Sequence, residues 1–278
     1  MALPIITLTT DFGEKDPYVG AVKGAIYSAL QGVPIVDISH GISPFHITEA
    51  AYVIQNAYAS FPKGTIHLIG VDAELTPENR HIAVALDGHF FVCANNGIMS
   101  LLSHHIKPEQ IVEINIHDRM EGNFPVLDVF VAVACHIARG GKLEVIGKAI
   151  PKFKQLVGVQ PVVNTDNNQI IGTVIYIDNY GNVVINIQKS LFDKVGKGRS
   201  FRITARSVVI RNIHSRYSEA INFDVPADRR EEAGKKLAIW NSSHYLELAL
   251  YKSNPTSVGS AATLFGLEYR DTVTLNFD

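Results

Sequence analysis

The sequence predicts an α/β protein in two parts: an N-terminal α/β domain with a mainly parallel central sheet, and a C-terminal all-β barrel domain. In the first half of the 278-residue chain, apolar β-rich runs alternate with segments of helical periodicity, the pattern of a parallel sheet covered by helices. After about residue 150 only short apolar runs recur, separated by turn residues. We expect domains over residues 1–155 and 165–278.

The elements of the N-terminal part follow from its periodicity. Four apolar runs indicate strands: LPIITLTT, VPIVDIS, TIHLIGVD and QIVEIN. Helical periodicity predicts helices over residues 18–30, 47–60, 98–103 and 129–139. The runs HIAVALDG and HFFVCAN indicate a β-hairpin, because Asp87-Gly88 between them is a favoured turn pair.

The C-terminal part contains short strands and no long amphipathic helix. Eight runs indicate strands: QLVGVQPVVN, QIIGTVIYID, GNVVINI, RSFRITA, SVVIRNI, KKLAIWN, YLELALY and DTVTLNF. Many short strands at close spacing are typical of a small barrel or sandwich. The segment from Pro151 to Asn168, which includes the first of these runs, contains Pro161 and a polar turn, which predicts the domain boundary there.

Composition narrows the class of protein. Hydrophobic residues make up 46% and charged residues 19%, which supports a sizeable core. The net charge of −2 leaves no excess of Lys and Arg for a phosphate backbone, so we expect no nucleic-acid partner. No apolar run approaches the ~18 residues of a membrane span, and no signal peptide is recognisable. We expect a soluble, cytoplasmic protein in which Cys93 and Cys135 are buried free thiols.

Acidic and amide residues gather where predicted strands end. Asp11 follows the first strand, and a carboxylate there could accept both hydrogen bonds of a ribose diol, since ligands of open α/β sheets bind beyond the carboxyl ends of strands. Asp72 and Arg80 flank the loop after the third strand, where an ionised carboxylate could orient water. An ordinary turn Asp and a loop salt bridge are the alternatives that the residues leave open.

The C-terminal part offers a second group of candidates. Asp178 and Asn182 lie in IDNYGNVVINI, where the carboxylate could hold an ammonium group and the amide could read a purine edge. A plain hairpin turn is the alternative. The segment NSSHYLELAL adds the hydroxyls of Ser242 and Ser243.

The histidines and the absence of common motifs argue against several familiar kinds of site. We expect His104, His105 and His117 to be surface or loop residues rather than ligands. The motifs of P-loop, dinucleotide, α/β-hydrolase and zincin sites do not occur. We therefore predict no metal and no separate cofactor.

Taken together and in order, six segments resemble the S-adenosylmethionine (SAM) hydrolase family, also called SAM hydroxide adenosyltransferases, which are relatives of fluorinase and chlorinase. They are TTDFGEKDPYVGAVKGAIYS, VPIVDISHGISPFHITEAAYVI, FPKGTIHLIGVD, CANNGIMSLL, YIDNYGNVVINI and NSSHYLELAL. The resemblance implies the same two-domain fold. It also implies a homotrimer that binds SAM or adenosine where the N-terminal domain of one subunit meets the C-terminal domain of a neighbour.

The resemblance also implies roles for individual residues of the N-terminal part. Asp11 matches the carboxylate that binds the ribose diol. Asp16 and Tyr18 match the substrate-side loop after it, and Phe45 matches an aromatic beside the sugar and methionine.

In the C-terminal part, the resemblance gives roles to four residues. Asp178 matches the group that holds the methionine ammonium, and Asn182 matches an amide that reads adenine. Ser242 and Ser243 match the segment that meets the methionine carboxylate.

The reaction that the resemblance implies is attack of water or hydroxide on the ribose C5′ of SAM, releasing adenosine and L-methionine. An Asp–Arg–His set is associated with activating the water, and Asp72 and Arg80 match its first two members. The third member is absent, because NFPVLDVF stands where TFHGRDIF is usual and places Pro125 at the His position. Proline has no titratable group, and whether His117 replaces it stays open.

Three functions follow in order of preference. The first is an adenosine-forming SAM hydrolase, with Asp72 and Arg80 as catalytic residues. The second is a catalytically impaired protein that binds SAM or adenosine, which the loss of the His at position 125 favours. The third is a SAM-dependent halogenase, which is disfavoured because the Asp72 carboxylate would repel a halide in a dry site and Val126 replaces the small or hydroxyl-bearing residue expected there.

Overall fold

In the computed structural model of the protein, residues 3–103, 106–117 and 122–278 are described. The chain divides into two compact units, Met1–Gly158 and Val159–Asp278. The predicted fold class is confirmed: the first unit has a mixed α/β sheet, and the second has a nearly closed, barrel-like sheet.

The first unit is built on seven strands: β1 Ile6–Thr10, β2 Ile35–Ser39, β3 Ile66–Gly70, β4 His81–Leu86, β5 His89–Ala94, β6 Gln110–Ile114 and β7 Gly147–Ala149. Their order in the sheet is β2-β1-β3-β5-β4-β6-β7. The strands β2, β1, β3 and β5 run parallel, and β4, β6 and β7 add antiparallel pairs. Asp87 and Gly88 both have positive φ, which forms the tight hairpin that reverses the chain between β4 and β5.

Four helices cover this sheet: α1 Tyr18–Ala29, α2 Ile47–Gln55, α3 Ile98–Ser103 and α4 Val131–Ala138. The helices α1 and α4 pack on one face with Ile6 and Leu8 of β1, and α2 and α3 pack on the other with Ile69 of β3. The second helix stops at Gln55, earlier than predicted, and a 3-10 turn follows at Tyr58–Ser60.

The start of the fourth helix also differs from the prediction. A wider π-helical turn spans Val126–Phe130, with the Val131 N–H bonded to the Val126 carbonyl. Such turns are rare and occur often at functional sites. This turn follows Pro125, so the segment that departs from the resembled family also has unusual backbone geometry.

The second unit contains nine strands and two short helices. The strands are β8 Val162–Val163, β9 Gln169–Ile177, β10 Val183–Gln188, β11 Phe201–Ala205, β12 Val208–Ile210, β13 Ile213–His214, β14 Lys236–Trp240, β15 Tyr245–Leu250 and β16 Thr272–Phe277. The helices are α5 Lys189–Gly196 and α6 Ala261–Phe265. Except for the parallel pair β13–β14, all strand pairs are antiparallel.

Two features of the chain bear on its environment. Cys93 and Cys135 are free and buried, and burial raises the pKa of both thiols, so they behave as apolar core side chains. In the described ranges, no helix is both long enough and apolar enough to cross a membrane.

The barrel interior depends on a close approach at Gly172 in β9. A Cβ at this position would lie 2.5 Å from Ile185 Cγ2 and 2.6 Å from Ile187 Cγ1, which is too close for a real contact. Both isoleucines belong to β10 and are fully buried. Glycine therefore lets neighbouring strands close over a filled core.

We expect Gly172→Ala to lower the free energy of unfolding of the second unit by about 1–3 kcal/mol, because it overpacks a filled core. Trp240, the single tryptophan, lies in β14 and reports unfolding of this unit by fluorescence in a denaturant titration. The neighbouring Thr173→Ser serves as the control and should change stability by no more than ~0.5 kcal/mol. Equal stability of Gly172→Ala and the native protein would contradict the packing argument.

Candidate functional site

Three of the predicted ligand residues follow the carboxyl ends of three parallel strands. Asp11 comes directly after β1, Phe45 lies in the loop after β2, and Asp72 follows β3. Since β1 is the neighbour of both β2 and β3, these loops emerge at one edge of the sheet, the usual position of ligands in such folds.

The side chain of Asp11 joins two of these loops. Its Oδ2 atom accepts a hydrogen bond of 2.8 Å from the backbone N–H of Phe45. Phe45 has a φ of 61°, a left-handed conformation that costs a bulky residue about 1–3 kcal/mol. Phe45 is 73% exposed. The hydrogen bond to Asp11 therefore holds an exposed aromatic residue next to the carboxylate.

An aromatic cluster stands next to Asp11. The ring centroids of Phe12, Tyr18 and Phe124 lie 5.3–5.8 Å apart in tilted and edge-on arrangements. Tyr18 remains 47% exposed, and Asp16 is exposed in the loop before it. The cluster connects the Asp11 loop with the segment that carries Pro125. Sequence reasoning missed Phe12 and Phe124, although Phe12 directly follows Asp11.

Asp72 also has a left-handed backbone, with a φ of 47°. Its carbonyl accepts hydrogen bonds from the side-chain amides of Asn79 (3.0 Å) and Asn96 (3.3 Å). Asn96 is buried and also bonds the Val71 carbonyl. These amides hold the backbone of Asp72 in the left-handed region, which aspartate adopts with little strain.

Asp72 and Arg80 do not form an ion pair in the part of the chain that the structure describes. Arg80 is exposed just before β4, and within residues 3–103, 106–117 and 122–278 no ion pair of 4.0 Å or less joins the two side chains. The ordinary loop salt bridge that the sequence left open is therefore not formed.

A cleft of about 310 Å³ borders the same loop. Its lining residues are Glu74, Leu75, His81, His117, Gly122, Asn123, Pro125, Asp128 and Val129. His81 bonds the Ala73 carbonyl through Nε2 (3.0 Å) and His117 Nε2 through Nδ1 (2.9 Å). The pKa of His81 is lowered to about 4, mainly by burial and also by the nearby His117, against the opposing effect of the Ala73 bond.

His117 has a defined place in the structure that the sequence did not indicate. It lies in the loop after β6, half-buried, with its ring in the cleft beside Pro125. The expectation of a loop residue holds, but the side chain is part of a histidine pair and not a bare surface group. His104 and His105 lie outside the described residues.

In the second unit, Asp178 and Asn182 form one tight turn between β9 and β10. Asp178 Oδ1 accepts from the backbone N–H groups of Tyr180 (2.9 Å) and Asn182 (2.8 Å), and Oδ2 accepts from Asn182 Nδ2 (3.0 Å). The turn chemistry that the sequence left open is thus present. Because a carboxylate has about four acceptor positions, three bonds leave it able to accept one more.

This turn is held against the start of helix α6. Gly181 has a φ of 71°, and a Cβ there would overlap the side chain of Ser260. The Gly181 carbonyl accepts a 2.9 Å bond from Ala262 N–H. Only glycine fits both the backbone conformation and the space. The turn is therefore held in a fixed position against the start of helix α6.

Ser242 and Ser243 lie in the turn between β14 and β15. Asn241 Oδ1 accepts from the backbone N–H groups of Ser243 (3.1 Å) and Tyr245 (3.0 Å). Ser242 is exposed and Ser243 half-buried. The turn therefore presents the predicted hydroxyls on an ordered backbone.

Glu247 is the residue that the sequence reasoning missed in this unit. It lies in β15 opposite Val184 and Ile239 and is only 5% exposed. Tyr217 donates a 2.5 Å bond to Glu247 Oε1. The available signal was an acidic residue inside the apolar run YLELALY.

The pKa of Glu247 is shifted by groups from two turns, the one that contains Asp178 and the one that contains Asn241. Burial raises it most, and the negative charge of Asp178 raises it further, whereas hydrogen bonds from Tyr217 and Asn241 lower it. The net shift is upward. Glu247 thus lies within electrostatic reach of the Asp178 turn and in hydrogen-bond contact with the turn that carries Ser242 and Ser243.

Family models match both units of the chain. The SAM hydroxide adenosyltransferase N-terminal domain matches residues 6–147, and the C-terminal domain of the same family matches residues 172–274. The chain belongs to the SAM hydroxide adenosyltransferase family. The resemblance read from the sequence is therefore confirmed.

Relatives in this family carry two different names. The chain is 27% identical over 277 residues to an (R)-S-adenosyl-L-methionine hydrolase of Methanocaldococcus jannaschii. The aligned region covers 98% of this chain and 95% of the relative. It is 23% identical to a fluorinase of an Actinoplanes species, over 70% and 75% of the two chains. A crystal structure of an uncharacterized conserved protein from Thermotoga maritima matches with a TM-score of 0.80 and 25% identity, covering 98% and 99%.

We expect Glu247→Gln to raise the stability of the second unit at neutral pH. The folded-state pKa of Glu247 lies above its ordinary value of 4.5, so between these values the folded protein binds more protons than the unfolded chain. Stability therefore falls as pH rises through this window, and the neutral glutamine removes that fall.

Denaturant titrations followed by Trp240 fluorescence, from about pH 4 to about pH 8, measure this effect. The difference between Glu247→Gln and the native protein should shrink toward the acidic end. The exposed Glu268→Gln is the control and should follow the native curve. A constant difference at every pH would contradict a buried, titrating carboxyl at position 247.

Proposed function

We propose that the protein is an adenosine-forming SAM hydrolase. Water attacks the ribose C5′ of SAM, and adenosine and L-methionine are released. Family membership and the hydrolase relatives support this reaction. The observation that carries it is the pair of left-handed residues, Phe45 and Asp72, on the loops that flank Asp11.

Binding in this proposal uses charged groups at the two ends of SAM. The Oδ1 atom of Asp11 accepts from the ribose diol, because Oδ2 already holds the Phe45 N–H. The exposed Phe45 ring covers the sugar and the methionine chain. Asp178 binds the methionine ammonium, and Glu247 adds a second negative charge near it.

In the same proposal, further residues bind the adenine and the methionine carboxylate of SAM. Asn182 reads the adenine edge, and Ser242 and Ser243 donate to the methionine carboxylate. Asp16 and Tyr18 close the loop side of the site. A homotrimer with the site at the subunit interface, and a cytoplasmic location, belong to this proposal.

The chemistry needs positioning more than activation of the leaving group. As the water oxygen bonds to C5′, the C5′–S electron pair moves to sulfur, and the sulfonium becomes the neutral thioether of methionine. The water loses a proton to a base. The Asp72 carboxylate, whose backbone is fixed by Asn79 and Asn96, orients the water for in-line attack.

A second function is a SAM- or adenosine-binding protein without turnover. The observation that favours it is Pro125, which lines the cleft where the resemblance implies a histidine. The halogenase function is weaker despite the fluorinase relatives. A halide needs an environment without a nearby carboxylate, and both Asp72 and the buried Val126 are unfavourable to it.

The decisive experiment is incubation of the protein with SAM and chromatography of the nucleosides. We expect adenosine from the native protein and, for Asp72→Asn, a rate lower by a factor of about 10²–10⁴, because the water loses its charged acceptor. Glu78→Gln, an exposed carboxyl on the same loop, is the control and should retain the native rate.

The other outcomes distinguish the alternatives. Tight SAM binding without adenosine would favour the binding protein over the hydrolase. A 5′-halogenated adenosine formed in the presence of chloride or fluoride would favour the halogenase.

We further expect Asp11→Ala to weaken SAM binding by about 1.5–3 kcal/mol, since the diol loses a charged acceptor. Isothermal titration calorimetry measures the change. Asp11→Asn keeps an oxygen for the Phe45 N–H but not the charge, so it should show an intermediate loss. Asp87→Asn, in the β4–β5 hairpin, is the control for the same chemical change. Unchanged affinity of Asp11→Ala would argue against the ribose assignment.

A further inference from the structure

His40 joins the loop after β2, which carries Phe45, to the loop that carries Asp11. It directly follows β2, and Thr10 is the last residue of β1, the parallel neighbour of β2. The Nδ1 atom of His40 lies 2.7 Å from the Thr10 hydroxyl, and the His40 carbonyl accepts a 2.8 Å bond from Gly13 N–H. His40 is therefore bonded to the chain on both sides of Asp11.

The ring of His40 has a charged partner on its other side. Its Nε2 atom lies 3.1 Å from Asp37 Oδ1, and Lys23 of α1 donates to Asp37 Oδ2. In the part of the chain that the structure describes, His40 Nε2 has no partner with hydrogen-bond geometry, so the carboxylate acts on the ring mainly through its charge. Burial acts to raise the pKa of Asp37, but the contacts and charges of Lys23 and His40 outweigh burial and lower it.

This charge sets the direction of the bond between His40 and Thr10. A carboxylate next to Nε2 favours a proton on that nitrogen, so Nδ1 of the neutral ring accepts from the Thr10 hydroxyl. The oxygen of the same hydroxyl accepts a longer bond, 3.4 Å, from Phe12 N–H. A chain of contacts thus runs from Asp37 through two side chains to the backbone directly after Asp11.

The branched side chain of Thr10 has one orientation in this place. Thr10 is buried and pairs with Gly70 of β3. A Cβ at Gly70 would lie 3.2 Å from the Thr10 methyl carbon, so the methyl group occupies the space beside Gly70. The methyl group is therefore directed to β3 and the hydroxyl to His40 after β2, and Thr10 contacts both neighbours of its own strand.

We propose that His40 is a positioning residue for the ribose-binding carboxylate. Through Thr10 and Gly13 it holds the backbone that carries Asp11, whose Oδ2 atom in turn holds Phe45 N–H. This inference rests on the proposed function, in which the other oxygen of Asp11 accepts from the ribose diol. A carboxylate on a fixed backbone loses less conformational freedom on binding, so nucleoside affinity depends on His40 although it acts only through Asp11.

The first test is calorimetry of adenosine binding to Thr10→Val, which keeps the shape of the side chain and removes its hydroxyl. We expect the Kd for adenosine to rise about 3–10-fold, because one positioning hydrogen bond is lost. The Kd for 2′-deoxyadenosine, which lacks one hydroxyl of the diol, should rise less. Thr10→Ser keeps the hydroxyl and should restore most of the native affinity for adenosine.

Thr7→Val is the matched control. Thr7 lies near the start of the same strand, is completely buried and bonds His67 Nδ1 at 2.7 Å, so the variant loses the same kind of threonine–histidine bond away from the Asp11 loop. Thr7→Val and Thr10→Val should lose similar stability in a denaturant titration followed by circular dichroism. Only Thr10→Val should lose affinity for adenosine, and an equal loss in both variants would contradict the proposal.

A double-mutant cycle shows whether the effect passes through Asp11. In an Asp11→Ala background, Thr10→Val should raise the Kd for adenosine no further, since the carboxylate that it positions is already gone. A further rise of the same factor as in the native background would overturn the positioning role.

A test without ligand uses hydrogen exchange of individual amides by nuclear magnetic resonance. The amide of Gly13 bonds the His40 carbonyl, and the amide of Phe45 bonds Asp11. Both should exchange faster in Thr10→Val and in His40→Leu than in the native protein and in Thr7→Val, because the loops open more often. Native exchange rates of both amides in all variants would count against the proposal.

Failure of this inference can be separated from failure of the proposed function. If the native protein binds neither adenosine nor SAM, the proposed function is wrong and the positioning of a ribose-binding carboxylate falls with it. If the native protein binds adenosine and Thr10→Val keeps the native Kd, or loses the same factor for adenosine and 2′-deoxyadenosine, the proposed function stands and the role of His40 is wrong.

Discussion

The hydrogen bond from Phe45 N–H to Asp11 Oδ2 is the interaction on which the arrangement of candidate residues in the first unit depends. A phenylalanine with a φ of 61° is strained, and one carboxylate oxygen offsets that strain with a charge-assisted bond. The same bond joins the loop after β1 to the loop after β2 and uses only one of the two carboxylate oxygens. In the proposed function the Asp11 side chain therefore serves both ligand binding and loop geometry, and a change at Asp11 would alter both.

The candidate residues of the second unit have a different organisation, because they are assembled around a buried carboxyl, that of Glu247. Glu247 contacts Asn241 and Tyr217 and feels the charge of Asp178. Two nearby carboxylates in a partly buried setting repel one another and attract a cation. A positively charged ligand group would relieve this repulsion, which supports the proposed binding of the SAM ammonium by Asp178.

Much of the fold could be predicted from the sequence, because hydrophobic periodicity reports burial directly. The Asp87-Gly88 hairpin was predictable from its turn chemistry, yet its consequence, an antiparallel half of the first sheet, was not, since strand order depends on long-range packing. The π-helical turn after Pro125 left no periodic signal over its five residues. The candidate residues were recognisable as strand-end groups or through the family resemblance, and their individual roles stay predictions. Glu247 and His81 were missed because each lies inside an apolar strand, where only coordinates reveal a partner.

The left-handed backbone of Asp72 has a consequence for sequence drift. Only glycine, asparagine and aspartate adopt that conformation with little strain, and a β-branched or bulky side chain there would distort the end of β3. A descendant of this protein that lost the carboxylate would therefore retain its fold most readily through asparagine or glycine. If the proposed function is right, either residue at this place would mark a chain that has lost hydrolysis and kept the architecture.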